Sequence, residues 1–249
     1  MVVRFLLYEQ RNAGINMLIS GLQKMTLLDF PGLVACTVFT GGCNFRCPFC
    51  HNSALVLPDR LESGYSQEDI LDFLKGRQGL LDGVAVTGGE PLIHADMADF
   101  LRKVRALGFK IKLDTNGSFP ERLKELVEEG LVDRVAMDIK NSPELYPKTA
   151  GLERMDMSAI EQSKDFLLEG RIPFEFRTTV VRGLHTADSL AGAARWISGA
   201  KEYYLQQYKD SGDIIAPDGI GAFTDDEMRQ LLARVREVIP SAELRGVSE

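Results

Sequence analysis

Three cysteines, Cys43, Cys47 and Cys50, stand at the spacing C-x3-C-x2-C inside residues 40–52, which read TGGCNFRCPFCHN. Gly41, Gly42 and Pro48 let so short a loop turn on itself and wrap its thiols around one centre. Thiolates are soft ligands that select zinc or an iron–sulfur cluster. Three of them, rather than four, leave one metal position open, and open positions are where metals do chemistry.

Two other uses of the thiols compete with that one. A disulfide framework would need partners, but the chain has only four cysteines and three of them cluster without the fourth. Structural zinc usually draws two ligand pairs from separate places. The remaining candidates here are Cys36, His51, His94 and His185. Cys36 sits in an apolar run and reads as a small buried hydrophobe. His51 abuts Cys50, too close to reach round easily as a fourth ligand. His94 and His185 belong to no pattern and are expected at the surface.

Four further groups have the chemistry to hold a polar ligand. Gly88, Gly89 and Glu90 follow an apolar run, and paired glycines let a ligand approach the backbone closely. Asp114, before Thr115, ends another run. A carboxylate there is costly to bury unless it is paired or binds an ion, although an Asx turn is an equally good use. Asp138 and Lys140 are two apart, so strand alternation puts them on one side, where their charges compensate with room for a ligand between. Arg177 lies among Phe174, Phe176 and Val180. It needs an anionic ligand or a buried carboxylate as partner.

The elements that must position these residues alternate. Strands are expected over residues 34–39, 84–87, 110–114, 134–138, 174–181 and 203–207, mostly continuous apolar runs of the kind buried on both faces. Helices are expected over 66–75, 97–107, 121–129, 158–168, 189–197 and 225–238. Gly108 and Gly130 stand in the C-terminal glycine position of two of them, and Thr224 with Glu227 makes a capping-box pattern for the last. Six strands alternating with six helices demand parallel pairing through crossovers, as an open doubly wound sheet or a curved part-barrel. Ligands then bind beyond the carboxyl ends of the strands, which is where each group above falls. No linker or low-complexity tract marks a second domain, so one domain over 17–249 is expected, preceded by residues 1–16 as an extension that is not necessarily native.

The cysteine motif, with Phe49 directly before its last thiol, resembles that of the radical S-adenosylmethionine superfamily. The continuation Cys50-His51-Asn52 is similar to the activating enzymes of glycyl-radical proteins. The phrases Met25-Thr26-Leu27-Leu28-Asp29-Phe30-Pro31-Gly32 and Glu175-Phe176-Arg177-Thr178-Thr179-Val180-Val181 resemble the activating proteins of anaerobic ribonucleoside-triphosphate reductases. The likeness runs from about Leu18 to about Ile239. It implies a single-domain partial (β/α)6 barrel of parallel strands.

The resemblance also implies roles. Cys43, Cys47 and Cys50 would ligate three irons of a 4Fe–4S cluster, whose fourth iron is chelated by S-adenosylmethionine. Gly88, Gly89 and Glu90 would hold the amino group of its methionine part. Asp138 and Lys140 would contact its ribose or carboxylate region, and Phe49 and His51 its adenine edge. Arg177 and Gln206 or Gln207 would add polar cofactor contacts. Asp114, Thr115 and Asp138 would surround a monovalent cation. A one-electron donor such as flavodoxin or ferredoxin would reduce the cluster. S-adenosylmethionine would then be cleaved to a 5′-deoxyadenosyl radical that takes hydrogen from a glycine of the partner reductase. Another glycyl-radical enzyme, a peptide or a small molecule is the alternative target, and a non-enzymatic zinc-stabilised module the alternative of another class.

Composition sets the remaining bounds. The 249 residues are 45% hydrophobic, ample for a large core. The net charge of −7, from 36 acidic and 29 basic residues, does not make a nucleic acid or an anionic membrane the default partner. No apolar run is long enough to span a bilayer. The first residues lack the pattern of a signal peptide, and free thiols suit a reducing cytoplasm.

Overall fold

A computed structural model describes residues 17–62, 64–210 and 212–247. The extension expected over residues 1–16 lies outside the described residues. The chain groups into two compact units. Among the described residues the first comprises 17–44, 54–62, 64–113 and 126–133, and the second 45–53, 114–125, 134–210 and 212–247.

In the first unit, β1 (Ile19–Thr26) pairs antiparallel with β2 (Ala35–Thr40). Strand β2 then pairs parallel with β3 (Gly83–Gly88), and β3 with β4 (Lys110–Thr115). Helices α1 (Ser53–Val56) and α2 (Gln67–Lys75) lie between β2 and β3, and α3 (Met97–Ala106) between β3 and β4. The β2 residues Ala35, Cys36 and Val38 and the β3 residues Val84, Ala85 and Val86 are all sealed from solvent. Both faces are therefore covered, the reason these segments read as unbroken apolar runs. Cys36 is among them, and burial pushes its thiol up to about 12.

In the second unit, β5 (Arg134–Asp138), β6 (Phe174–Val180), β7 (Tyr203–Gln207) and β8 (Glu243–Arg245) pair in parallel in chain order. Between them run α5 (Tyr146–Thr149), α6 (Ser158–Leu168), α7 (Ala187–Trp196) and α8 (Asp225–Arg236); α4 (Pro120–Glu128) precedes β5. Glu175, fully buried at the start of β6, is held bidentately by Arg245 at 2.8 and 3.0 Å and also by Arg134 at 3.0 Å. One buried carboxylate thus satisfies the first and last strands of the unit.

Two strands go beyond the six expected. Gly21 interrupts β1, and its ladder slips register at two places, so no alternation shows in ISGLQKMT. Strand β8 is three residues long, below what a periodic pattern can reveal. Helix α7 begins at Ala187 rather than Ser189, because Ser189 is the third helical residue, the partner in a capping box opened by Thr186. Among the described residues no helix is long and apolar enough to cross a membrane.

Candidate active site

The cysteine loop starts where β2 ends, and its base is stitched to the Gly88–Glu90 turn. Gly89 N–H donates to Thr40 C=O at 2.9 Å, and Glu90 N–H to Gly42 C=O at 2.8 Å. A Cβ on Gly88 would overlap Thr40, and one on Gly89 would overlap the Gly42 carbonyl; Gly88 also sits at φ +124°. Only glycine lets the two backbones lie this close. The Glu90 carboxylate is completely buried and accepts Leu92 N–H at 3.0 Å, capping the short turn Pro91–Ile93.

His94 is half-buried rather than fully exposed. Its Nε2 donates to Gly41 C=O at 2.9 Å, a third stitch on the base of the loop. A lone histidine carries no periodic signal, so nothing in the sequence distinguishes it from an exposed one.

The rest of the loop and the charged strand ends fall in the second unit. Lys140 Nζ lies 2.9 Å from Asp138 Oδ2, on the shared side that alternation requires. Arg177 Nη1 donates to Asp114 Oδ2 at 3.0 Å, and its Nε and Nη2 reach Asp138 Oδ1 at 3.2 and 3.1 Å. The two uses open to Arg177 therefore resolve in one direction: its guanidinium bridges two carboxylates. Asp114 belongs to this bridge and not to an isolated turn. Thr115 is buried, and its Oγ1 accepts Gly117 N–H at 3.1 Å.

These charges set one another's protonation. Burial alone would raise the Asp138 carboxyl, but Lys140 and Arg177 outweigh it and hold the group well below the usual carboxylate range. Burial would likewise lower the Lys140 ammonium, yet Asp138 keeps it raised. Both thus stay ionised across the neutral range, a compensated pair at a strand's carboxyl end.

Cys47 is 7% exposed, whereas Cys43 and Cys50 are half-buried, and none of the three is in a disulfide. Burial pushes the Cys47 thiol up to about 11, opposed chiefly by Lys140. Burial raises Cys50 as well, with the Asn52 backbone and Lys140 acting the other way. A cationic group therefore stands where Cys47 and Cys50 would carry charge as metal-bound thiolates. Thiols are the soft donors that an iron–sulfur cluster takes, so the chemistry of the donor set fits that group. Among the described residues no group of three or more His, Cys, Asp or Glu side chains is already gathered to hold a metal ion.

The adenine-side candidates separate. Phe49 is buried at 5% exposure, while His51 is exposed and lines a cavity of about 390 Å3 together with Thr179, Gln206 and Gln207. Gln207 is spent on α8, its Nε2 donating to Phe223 C=O at 2.9 Å and Asp225 Oδ1 at 2.8 Å.

The expected surface position of His185 is also corrected. It is 3% exposed, accepts Val181 N–H on Nδ1 at 3.0 Å and donates from Nε2 to Lys140 C=O at 2.8 Å. Tyr146 Oη donates to Asp138 C=O at 3.1 Å and Thr178 Oγ1 to Ile139 C=O at 2.6 Å. Three consecutive carbonyls at the end of β5 are thus each held by a buried side chain. None of these three residues stood out in the sequence as support for the site, since their partners are backbone carbonyls that only the fold brings near.

The model of the radical SAM superfamily matches residues 37–193. The chain belongs to the radical SAM superfamily. This sets aside the non-enzymatic zinc module: the chain is an enzyme of that superfamily, with the superfamily's partial-barrel fold and its requirement for S-adenosylmethionine and a 4Fe–4S cluster. A protein of Methanocaldococcus jannaschii named as a glycyl-radical enzyme activating enzyme is 30% identical over 206 residues, 79% of this chain and 82% of that one. The pyruvate formate-lyase-activating enzyme of Listeria monocytogenes is 32% identical over 147 residues, 52% of this chain and 56% of its own. Among solved structures, Streptococcus suis SuiB bound to S-adenosylmethionine shares the fold, with a TM-score of 0.63 at 15% identity over 82% of this chain and 48% of that one.

Proposed function

We propose that this radical SAM enzyme activates a glycyl-radical enzyme, and that the target is an anaerobic ribonucleoside-triphosphate reductase. The observation that carries the site is the ion-paired Asp138–Lys140–Arg177 group, whose Lys140 acts against the burial that raises the Cys47 and Cys50 thiols. The activating-enzyme relatives support the class of target, and the phrases 25–32 and 175–181 support the reductase.

In this reading Cys43, Cys47 and Cys50 would hold a 4Fe–4S cluster. Once reduced by a donor such as flavodoxin or ferredoxin, it would supply the electron for reductive cleavage of S-adenosylmethionine to the 5′-deoxyadenosyl radical, which would take hydrogen from the partner's glycine. The protein's task is placement. Backbone groups of Gly88 and Gly89 accept the amino group of the methionine part, with Glu90 fixing their turn. Lys140 faces the carboxylate end, and Asp138 with Thr115 supplies polar contacts near it. Phe49, buried, and His51, exposed, would supply the adenine contacts. Gln206 would make the remaining contact, since the Gln207 amide already donates to Phe223 C=O and Asp225. A monovalent cation between Asp114, Thr115 and Asp138 would compete with the Arg177 guanidinium that already bridges the carboxylates, so this reading gives that position to Arg177. No side chain needs to act as acid or base.

The test mixes reconstituted enzyme, S-adenosylmethionine, a reductant and the candidate reductase without oxygen. A glycyl-radical resonance should appear on the reductase only when all are present. Continued formation of 5′-deoxyadenosine with no radical on the reductase would move the target to another glycyl-radical enzyme, a peptide or a small molecule.

A further inference from the structure

Helix α5 is a single turn, too short to be stable by itself, yet the residues around it are tied on two sides. Tyr146, sealed from solvent, donates from Oη to Asp138 C=O at 3.1 Å. Asn141, equally sealed, donates from Nδ2 to Thr149 Oγ1 at 2.9 Å and to Leu184 C=O at 3.0 Å. On the opposite side Ala150 C=O accepts Arg46 N–H at 2.9 Å. Gly151 then passes so near that a Cβ on it would overlap the Arg46 carbonyl oxygen, and it does so at φ +71°. The obstacle is backbone, which cannot swing aside as a long side chain does. Arg46 is the residue before Cys47. A second tie, Ala216 N–H to Pro48 C=O at 2.9 Å, meets the loop just after Cys47.

We propose that residues 141–151 form a bracket that carries the end of β5 and the cysteine loop as one piece, with Gly151 the positioning residue that sets where Cys47 sits. The bracket joins the two parts of the site that must share one ligand: Tyr146 holds the carbonyl of Asp138, and Ala150 with Gly151 holds the residue before the buried thiol. A methyl group at position 151 would push the Arg46 carbonyl outward and lift Cys47 from its buried place. Its consequence for catalysis rests on the reading of Cys47 as a cluster ligand; the placement itself does not.

Gly170 provides a matched control. It has φ +72° in the same unit, and a Cβ there would meet nothing within 4 Å. Gly151→Ala and Gly170→Ala therefore pay the same backbone strain, and only the first drives a side chain into the cysteine loop. The cluster-free, reduced full chain is alkylated with iodoacetamide and each cysteine is followed by peptide mass, with half-buried Cys43 and Cys50 as internal references. Gly151→Ala should speed labelling of Cys47 roughly tenfold, as a group released from a protected position reacts. It should also take up less than half the parent's iron on anaerobic reconstitution, while Gly170→Ala matches the parent in both. Equal Cys47 labelling in the two variants would overturn the proposal. Should Gly151→Ala not fold, amide exchange at Arg46 in the unmutated chain decides: slow exchange is expected, and exchange at the rate of an open loop would refute the bracket. Failure of the parent itself to take up iron would overturn the cluster reading instead, and labelling would still decide the bracket.

Discussion

Asp138 is the residue on which the charged side of the site turns. It faces Lys140 and Arg177 at once, and removing its charge leaves two cations with the single carboxylate of Asp114 between them. Asp138→Asn should cost about 2–3 kcal/mol in urea unfolding at neutral pH, somewhat below a fully buried pair because a third of the side chain is exposed. The pH dependence has a definite sign. A carboxyl held below its unfolded value stabilises the fold above that value, about pH 3.9, and loses this as the pH falls toward its folded value. The gap between parent and variant should therefore be full at pH 7 and narrow below about pH 4. A gap independent of pH would contradict the charge account. At this scale alternation alone made the Asp138–Lys140 pair legible. The need of Arg177 for an anion was legible too, but its partners were not, because Asp114 lies 63 positions away and only the folded sheet brings it near. His94 and His185 were misread for the same reason: their partners are backbone carbonyls of distant segments.

Elements were legible where local chemistry specifies them. Residues 225–238 begin with Thr224 and Glu227, and the capping box forms as written: Glu227 N–H donates to Thr224 Oγ1 at 3.3 Å, and Thr224 N–H to Glu227 Oε2 at 2.7 Å. Thr224→Ala should destabilise the protein by about 1 kcal/mol in thermal or urea unfolding, and Thr224→Ser should recover most of the loss. An unchanged alanine variant would mean that α8 is fixed by packing and not by its cap. The buried parallel strands were legible because both faces are apolar. Strand β1 was not, since its exposed residues Gln23, Lys24 and Met25 fall together instead of alternating. Strand β8 owes its place to Arg245, whose grip on Glu175 is a long-range ion pair invisible to any local pattern.

Across the whole molecule, the strands' carboxyl ends collect the groups with chemistry. The start of the cysteine loop, at Thr40 and Gly42, is joined to the Gly88–Glu90 turn in one unit, while Cys47 and Cys50 belong to the other with Asp114, Asp138, Arg177 and Gln206 on its strands and Lys140 just past one. Superfamily membership makes the chain an S-adenosylmethionine-dependent enzyme, and its acidic balance of −7 is carried by side chains outside the compensated charge group. The central claim is that three of the four cysteines, and not Cys36, carry the cofactor. The most direct test reconstitutes the protein without oxygen, reduces it with S-adenosylmethionine present, and measures 5′-deoxyadenosine in the parent and in four cysteine-to-alanine variants. Product from the parent and from Cys36→Ala, but none from Cys43→Ala, Cys47→Ala or Cys50→Ala, is the predicted result. Undiminished product from any of those three, or none from the parent carrying a full cluster, would contradict it.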